Sequence, residues 1–278
     1  MNKKYNILIL SNPQNDELME DMYIANSFKE DGNIVDVKWI DYNENLDENY
    51  DIIIRRNTWV EEENKTEYFK LKNDYLIERL NIKNIRTINL EGLDGHGKMY
   101  LCELFKLGKK VIPTINNINE LSNLGNAREY VLKDNNSFGS GLGQKIIKAN
   151  KLIDQFKEGY LIQPKLEFRS EVQCYFVGDK LMYVYEYTPS KYPNYPTPRL
   201  IQLNVKEKSL AVEFANISKL KYGFKRIDFL RLKNNELILL EIEDNSPHMN
   251  LEKLDYKFRN KVIKEYKNNI YEYLMKSE

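Results

Sequence analysis

Three carboxylates and one guanidinium fall on two segments that read as facing strands, and their spacing puts all four on one surface. The first segment, F-K-R-I-D-F-L-R-L, runs from Phe224 to Leu232, and the second, E-L-I-L-L-E-I-E, from Glu236 to Glu243. Between them, Asn234-Asn235 tolerates the left-handed backbone of a two-residue hairpin turn. That turn sets Asp228 opposite Glu241 and Arg226 opposite Glu243. Like charges opposed across a sheet destabilise it, so the arrangement asks for a counter-ion. All-oxygen donors suit a hard cation, Mg²⁺ or Mn²⁺, and Mg²⁺ commonly takes one or two carboxylates together with substrate phosphates. Ile227, Phe229, Ile238, Leu240 and Ile242 are the expected apolar face behind the acids. The competing reading of the same residues is a solvated polar face partly balanced by Arg226.

A second cluster suits phosphate. The stretch Y-V-L-K-D-N-N-S-F-G-S-G-L-G-Q-K-I-I sets Lys133 at the end of an apolar strand, followed by Ser137, Gly139, Ser140, Gly141 and Gly143. Small residues let backbone amides approach phosphate oxygens while a lysine supplies a point charge. No G-K-[ST] follows and the loop joins two strands, so this is not a P-loop; a glycine hairpin that merely turns is the alternative. Downstream, Gln163, Pro164, Lys165 and Leu166 form a bend that can meet an adenine edge, and Glu171 can accept from ribose hydroxyls. Neither decides the matter alone.

The elements that must position these groups follow from periodicity. Residues 5–10, 34–40, 51–54 and 86–90 read as strands, with helices at 18–32 and 66–80, a βαβ pattern that predicts a small parallel sheet. A helix at 98–107 closed by Gly108 leads to the short V-I-P-T strand end. Strands then follow at 160–163, 171–177 and 181–187, with a helix at 209–219, the charged hairpin, and a long tail helix. Leu254, Phe258, Val262, Tyr266 and Ile270 supply that last helix's apolar side. The proline-rich segment Glu186–Arg199 reads as a long loop, either a lid beside the site or a disordered excursion.

The chain has 278 residues, of which 42% are hydrophobic, enough for a large core in two or three subdomains. Its 42 basic and 42 acidic residues cancel, which argues against general attraction to nucleic acid or an anionic membrane. No span reaches membrane length, and the apolar run near the start is too short for a signal sequence, so a cytoplasmic address is expected. The two cysteines, Cys102 and Cys174, lack paired-ligand spacing and read as core. No Ser-His-Asp order, H-E-x-x-H or catalytic-cysteine context is present. His96 lies between glycines and His248 follows Ser246-Pro247; each lines a site or plays a structural role.

Taken in order, a lysine before a glycine hairpin, Q-P then E, R-x-D, E-x-E and S-P resemble the ATP-grasp carboxylate-amine ligases, most closely the glutathione-synthetase-like branch. The resemblance covers nearly the whole chain. D-G-H-G-K-M-Y-L-C-E-L-F-K-L-G-K-K-V-I-P-T looks like that family's first nucleotide lysine, Lys98, with its helix and linker, and R-R-N-T-W at Arg55–Trp59 looks like its R-S-T-W element. The implied fold is α/β (α+β): a small parallel domain over 1–92, then two α+β subdomains, 93–160 and 161–278, clasping ATP. Lys98 and Lys133 would bind ATP phosphates, the 137–143 loop would cover them, Gln163, Lys165 and Leu166 would frame adenine, and Glu171 would take the ribose. Asp228 and Glu241 would hold one Mg²⁺, with Glu241 bridging to a second completed by Glu243 or Asn245. Arg226 and Arg199 would stabilise the transferred phosphoryl, and Arg56 and Arg199 are candidates for gripping the substrate carboxylate.

The implied reaction is phosphoryl transfer from ATP to a small carboxylate, giving an acyl-phosphate that an amine attacks. A kinase stopping at phosphoryl transfer and a non-catalytic nucleotide-binding accessory protein are the alternatives, and a homodimer is the implied assembly. Departures from the family pattern are Glu243 where many relatives have asparagine, Asn57 for serine, and Asp134 where relatives often carry proline. They bear on substrate identity more than on nucleotide binding.

Overall fold

The computed structural model describes residues 3–11, 18–39, 50–56, 85–90, 92–135, 144–189 and 198–276. Apolar strands at the start of the chain form a parallel sheet: β1 (Asn6–Ser11), β2 (Ile34–Trp39), β3 (Ile52–Arg55) and β4 (Arg86–Ile88), in the order β2-β1-β3-β4. The inner pair, β1 and β3, is buried along almost its whole length, as strands covered on both faces must be. Helix α1 (Leu18–Glu30) packs Ile24, Ala25 and Phe28 against one face. The helix expected over 66–80 lies outside the described residues, as do Ser137, Gly139, Ser140, Gly141 and Gly143 of the glycine loop and most of the expected lid.

Helix α2 (Tyr100–Lys106) leads into a three-stranded antiparallel sheet, β6-β5-β7, built from β5 (Glu129–Asp134), β6 (Gln144–Lys148) and β7 (Tyr160–Pro164). Its own core includes Tyr130, Leu132, Ile147, Ile162 and Leu152 of the short α3 (Leu152–Gln155).

The rest of the chain makes a five-stranded antiparallel sheet from β8 (Phe168–Val177), β9 (Lys180–Tyr187), β10 (Arg199–Leu200), β11 (Phe224–Leu232) and β12 (Leu237–Glu243), in the order β10-β9-β8-β11-β12. Alternation divides its side chains between two cores. Val172, Cys174, Phe176, Val184, Ile227 and Phe229 pack on α2 and on α4 (Val205–Ala215). Tyr175, Tyr183 and Tyr185, on the other face, share a core with Ile7, Ile9, Ile52 and Ile54 and with Val262, Tyr266 and Ile270 of α5 (Tyr256–Met275). Helix α4 starts four residues earlier than periodicity predicts, because Asn204 and Glu207 form a capping box. Both cysteines are buried, and burial pushes their thiols up, Cys102 to about 11, which fits packing.

A buried ion network joins α1 and the residue after β3 to residues 247–251. Arg56, Glu20 and Asp21 are all 0% exposed. The Arg56 guanidinium donates to Asp21 Oδ1 at 3.0 Å, to Glu20, and to the Pro247 carbonyl at 2.9 Å. Glu20 also accepts from the Met249 amide at 3.0 Å and the Leu251 amide at 3.1 Å. Arg56, a candidate for gripping the substrate carboxylate, is here buried and donates to these three groups of the protein. Removing the cation would strand two acids in a dry environment. Arg56→Met is therefore expected to cost about 3–5 kcal/mol, read as a lowered urea midpoint.

Candidate active site

The register of the β11–β12 hairpin brings Arg226 opposite Glu243 and Asp228 opposite Glu241, as the sequence predicts, but by another route. The Leu232 amide donates to the Glu236 carbonyl at 2.8 Å, so the loop has three residues, with Asn235 at φ +70° in place of a two-residue turn. Alone, that loop offsets the strands by one position. The offset is undone between the Phe229–Leu239 and Asp228–Glu241 pairs, where Leu240 is an extra residue in a β-bulge. The bulge also redistributes the apolar face. Leu237, Leu239 and Ile242 join Ile227 and Phe229 in the core, whereas Ile238 and Leu240, expected there, are half-buried.

The outer edge of β12 is closed by other parts of the chain. Leu239 exchanges backbone hydrogen bonds with Lys110 and Ile112 at 2.9 and 3.0 Å. Beyond the bulge, the Tyr100 hydroxyl accepts from the Ile242 amide at 2.8 Å and donates to its carbonyl at 3.2 Å. The strand carrying both glutamates is thus held on each side of Ile242.

Carboxylate oxygens of Asp228, Glu241 and Glu243 all lie within 4.8 Å of one another. Arg226 sits among them: Nε is 3.0 Å from Asp228 Oδ1, Nη2 is 2.6 Å from Glu243 Oε1, and Nη1 donates to the His248 carbonyl at 3.0 Å. Lys98, from the turn before α2, pairs directly with Glu241. Lys133, at the end of β5, is 4% exposed, and Glu241 supplies the strongest attraction acting on it. Two lysines from separate elements therefore converge on a glutamate from a third.

Burial and charge separate these groups. Burial alone would raise Glu241, but Lys98 and Lys133 outweigh it and hold the carboxyl down at about 2. Burial, with Asp228 and Glu241 adding repulsion, pushes Glu243 up to about 8 despite Arg226. Burial, then Asp228, raises Glu171 to about 7, which places a fourth carboxyl within reach of the cluster and on its face of the sheet. Burial lowers Lys133 below the usual ammonium range.

The remaining expected residues scatter. Gln163 is buried and donates to Thr114 Oγ1 at 2.9 Å, which fixes its amide. Leu166 is half-buried beside it in sequence, whereas Lys165 is exposed and paired with Glu129 at 2.6 Å. Arg199 is not brought to the acids. Its side chain is 76% exposed and pairs at 2.6 Å with Glu186, which belongs to a network with Ser170 and Arg231. In register, Glu186 follows Val172 and Phe229, on the sheet face opposite Asp228, which sets the Arg199–Glu186 pair apart from the three acids. Between the two candidates for the second metal position, Glu243 faces Asp228 and Glu241, while the Asn245 side chain lies against Gly95.

Sequence reading missed the supports: Tyr100, which pins β12, and Asn89, whose amide donates at 2.7 Å to the carbonyls of both Phe224 and Asp244. Asn89 takes the left-handed conformation at φ +57°, which its residue type permits but does not announce.

Parallel sheet, small antiparallel sheet and five-stranded sheet, with lysines and acids meeting between the last two, make up a fold that the chain shares with solved structures of ATP-grasp ligases. The D-cycloserine synthetase structure aligns at TM-score 0.69 and 15% identity, covering 94% of this chain and 99% of that one. D-alanine–D-alanine ligase from Bacillus anthracis, complexed with ATP, aligns at 0.64 and 16% over 98% of both chains. The ATP-grasp ligase PsnB, complexed with a minimal precursor, Mg and ADP, aligns at 0.63 and 11%, over 96% and 99%. No protein-family profile matches the sequence, and no curated protein is a significant match.

The three-acid cluster fits a divalent ion on its own chemistry: all donors are oxygen, they converge, and burial together with Asp228 and Glu241 disfavours the charged form of Glu243 despite Arg226 at 2.6 Å. The sign of the resulting pH dependence is set. Glu243 moves from an ordinary 4.5 to about 8 on folding, so the folded chain keeps a proton that the unfolded chain has lost, and stability falls as pH rises from about 5 to about 8. Glu171 acts in the same direction up to about 7. Glu241, held near 2, has delivered its full stabilisation above pH 4.5. Since a metal must displace the Glu243 proton, Mg²⁺ should raise Tm more at pH 8 than at pH 5.5. Equal responses at the two pH values would count against Glu243 as a ligand.

Proposed function

We propose that this protein is an ATP-dependent carboxylate-amine ligase that activates a small carboxylate, an amino acid or peptide-like molecule, as an acyl-phosphate and condenses it with an amine. The observation that carries the reading is the convergence of Lys98 and Lys133 on Glu241 within the Asp228–Glu241–Glu243 cluster. Structures of similar fold support it: one is a D-alanine–D-alanine ligase with ATP, another a ligase with a precursor, Mg and ADP.

In this reading residues 1–92 form the substrate-side domain, 93–160 the small nucleotide subdomain, and 161–278 the subdomain with the metal site. Lys98 and Lys133 neutralise the nucleotide phosphates, and the loop of Ser137, Gly139, Ser140 and Gly141 covers them. Gln163 and Leu166, with the backbone at Lys165, border the adenine, and Glu171 takes the ribose. Asp228 and Glu241 hold one Mg²⁺, and Glu241 with Glu243 a second; Mn²⁺ suits the same oxygens. Bound there, the ions neutralise charge on the moving phosphoryl group. Arg226 fixes two of the acids and adds a further positive charge beside them.

The chemistry needs no nucleophilic side chain. A carboxylate resists amines because oxide is a poor leaving group; once phosphorylated, its carbonyl loses phosphate readily, and positioning plus electrostatics carry the rate. A kinase of the same fold would use the same lysines and metals but release a phosphorylated product without an amine. A screen of carboxylate and amine pairs that reads ADP and identifies the product by mass separates the two, with ADP expected only when both partners are present.

Glu241→Gln is expected to abolish turnover and, because it takes the charged partner from buried Lys98, to lower Tm while the chain stays folded; retained activity would remove Glu241 from the metal site. Lys133→Ala is expected to weaken binding of an ATP analogue by about 10- to 100-fold, the loss of a charged hydrogen bond. Unchanged affinity by calorimetry would move Lys133 out of the nucleotide site.

A further inference from the structure

The turn that delivers Lys98 is fastened to the end of the acid-bearing strand by a side chain outside the set assigned above. One oxygen of Asp94, Oδ1, accepts from two consecutive amides, Asn245 at 2.7 Å and Asp244 at 3.3 Å. Asp244 answers by accepting from the Asp94 amide at 3.2 Å. The two backbones come so close that a Cβ on Gly92 would stand 2.5 Å from the Asn245 nitrogen. On its other side the same turn is held at the base of the glycine loop. The Lys98 amide donates to Asn135 Oδ1 at 2.8 Å, and Gly97, at φ +87°, lets the Asn135 carbonyl approach to 2.6 Å from where a Cβ would sit.

Three cross-links thus run between residues 94–100 and 241–245: Asp94 to Asp244 and Asn245, Lys98 to Glu241, and Tyr100 to Ile242. The Lys98–Glu241 link joins two groups assigned above, and the other two cross-links lie on either side of it. Tyr100 anchors the helix, but the turn ahead of it, where Lys98 begins, depends on Asp94. We infer that Asp94 is a positioning residue. Through this reciprocal clasp it sets where the Lys98 ammonium stands relative to Glu241, and so how well the site takes a magnesium-bound nucleotide. The inference rests on the nucleotide reading of Lys98 given above.

The test is a double-mutant cycle on the full chain, with affinity for a non-hydrolysable ATP analogue in Mg²⁺ as the readout. Asp94→Ala should weaken binding about tenfold. Asp94→Asn, which keeps Oδ1 and hence both amide bonds, should stay within about threefold of the parent. The Asp94→Ala/Lys98→Ala double variant should bind no more weakly than Lys98→Ala alone, because Asp94 acts through that lysine. Additive losses, or an Asp94→Ala affinity equal to the parent's, would overturn the inference. Should Asp94→Ala fail to fold, Gly95→Ala takes its place in the cycle, since its Cβ would press on Asn245 Nδ2 at 2.9 Å and spread the clasp from the other side.

Failure of the nucleotide reading is distinguishable, because the parent chain would then bind no analogue. In that case the clasp is judged by the rate at which an amine-reactive reagent labels Lys98, read by peptide mass. Faster labelling in Asp94→Ala but not in Asp94→Asn supports it; an unchanged rate in both refutes it.

Discussion

Acids buried side by side are tolerable only where cations are held just as rigidly, and that constraint organises this molecule. Asp228, Glu241 and Glu243 repel one another within 4.8 Å, in surroundings that screen poorly. Each available cation is correspondingly tied down from behind: Arg226 by the His248 carbonyl, Lys98 by the turn before α2, and Lys133 by a strand of a different sheet. The cations do not finish the job, as the raised carboxyl of Glu243 shows. An incomplete balance of this kind is what a site needs if it is to take up further positive charge.

The same logic recurs where α1 and the end of β3 meet residues 247–251, and there too burial raises both acids despite the guanidinium between them. Arg56 answers Glu20 and Asp21, and the backbone amides of Met249 and Leu251 supply the remaining donors. The two networks communicate through residues 247–251: Arg56 holds the Pro247 carbonyl, and the next carbonyl, His248, holds Arg226. One apolar core spans the described strands of the parallel sheet, the tyrosine face of the five-stranded sheet and α5.

Strand and helix positions were legible in the sequence wherever periodicity was strong, as in β1, β11 and α5. The carboxylate pairing was legible too, because side-chain alternation and a turn signal suffice to place Asp228 against Glu241. Its route was not. Asn234-Asn235 is compatible with a two- or a three-residue loop, and a bulge at Leu240 has no signature among apolar neighbours. The start of α4 is set by the cap at Asn204, which apolar spacing alone does not show. Arginines were the least readable. Arg56 and Arg199 have the right type for anion binding, but whether a guanidinium meets substrate or a neighbouring acid depends on partners far away in sequence, Glu20 for one and Glu186 for the other. Asp94 was hidden for the same reason, although the glycines flanking it marked a place where backbones crowd.

The three-residue loop and the Leu240 bulge are separate irregularities, because the Leu232–Glu236 pair stands between them. Changing the length of the loop leaves that pair in place, and with it the Asp228–Glu241 register; adding a residue between Glu236 and Glu241 shifts the glutamates against Asp228. The tip of the hairpin is accordingly free to drift in length, while its ion-binding end is not.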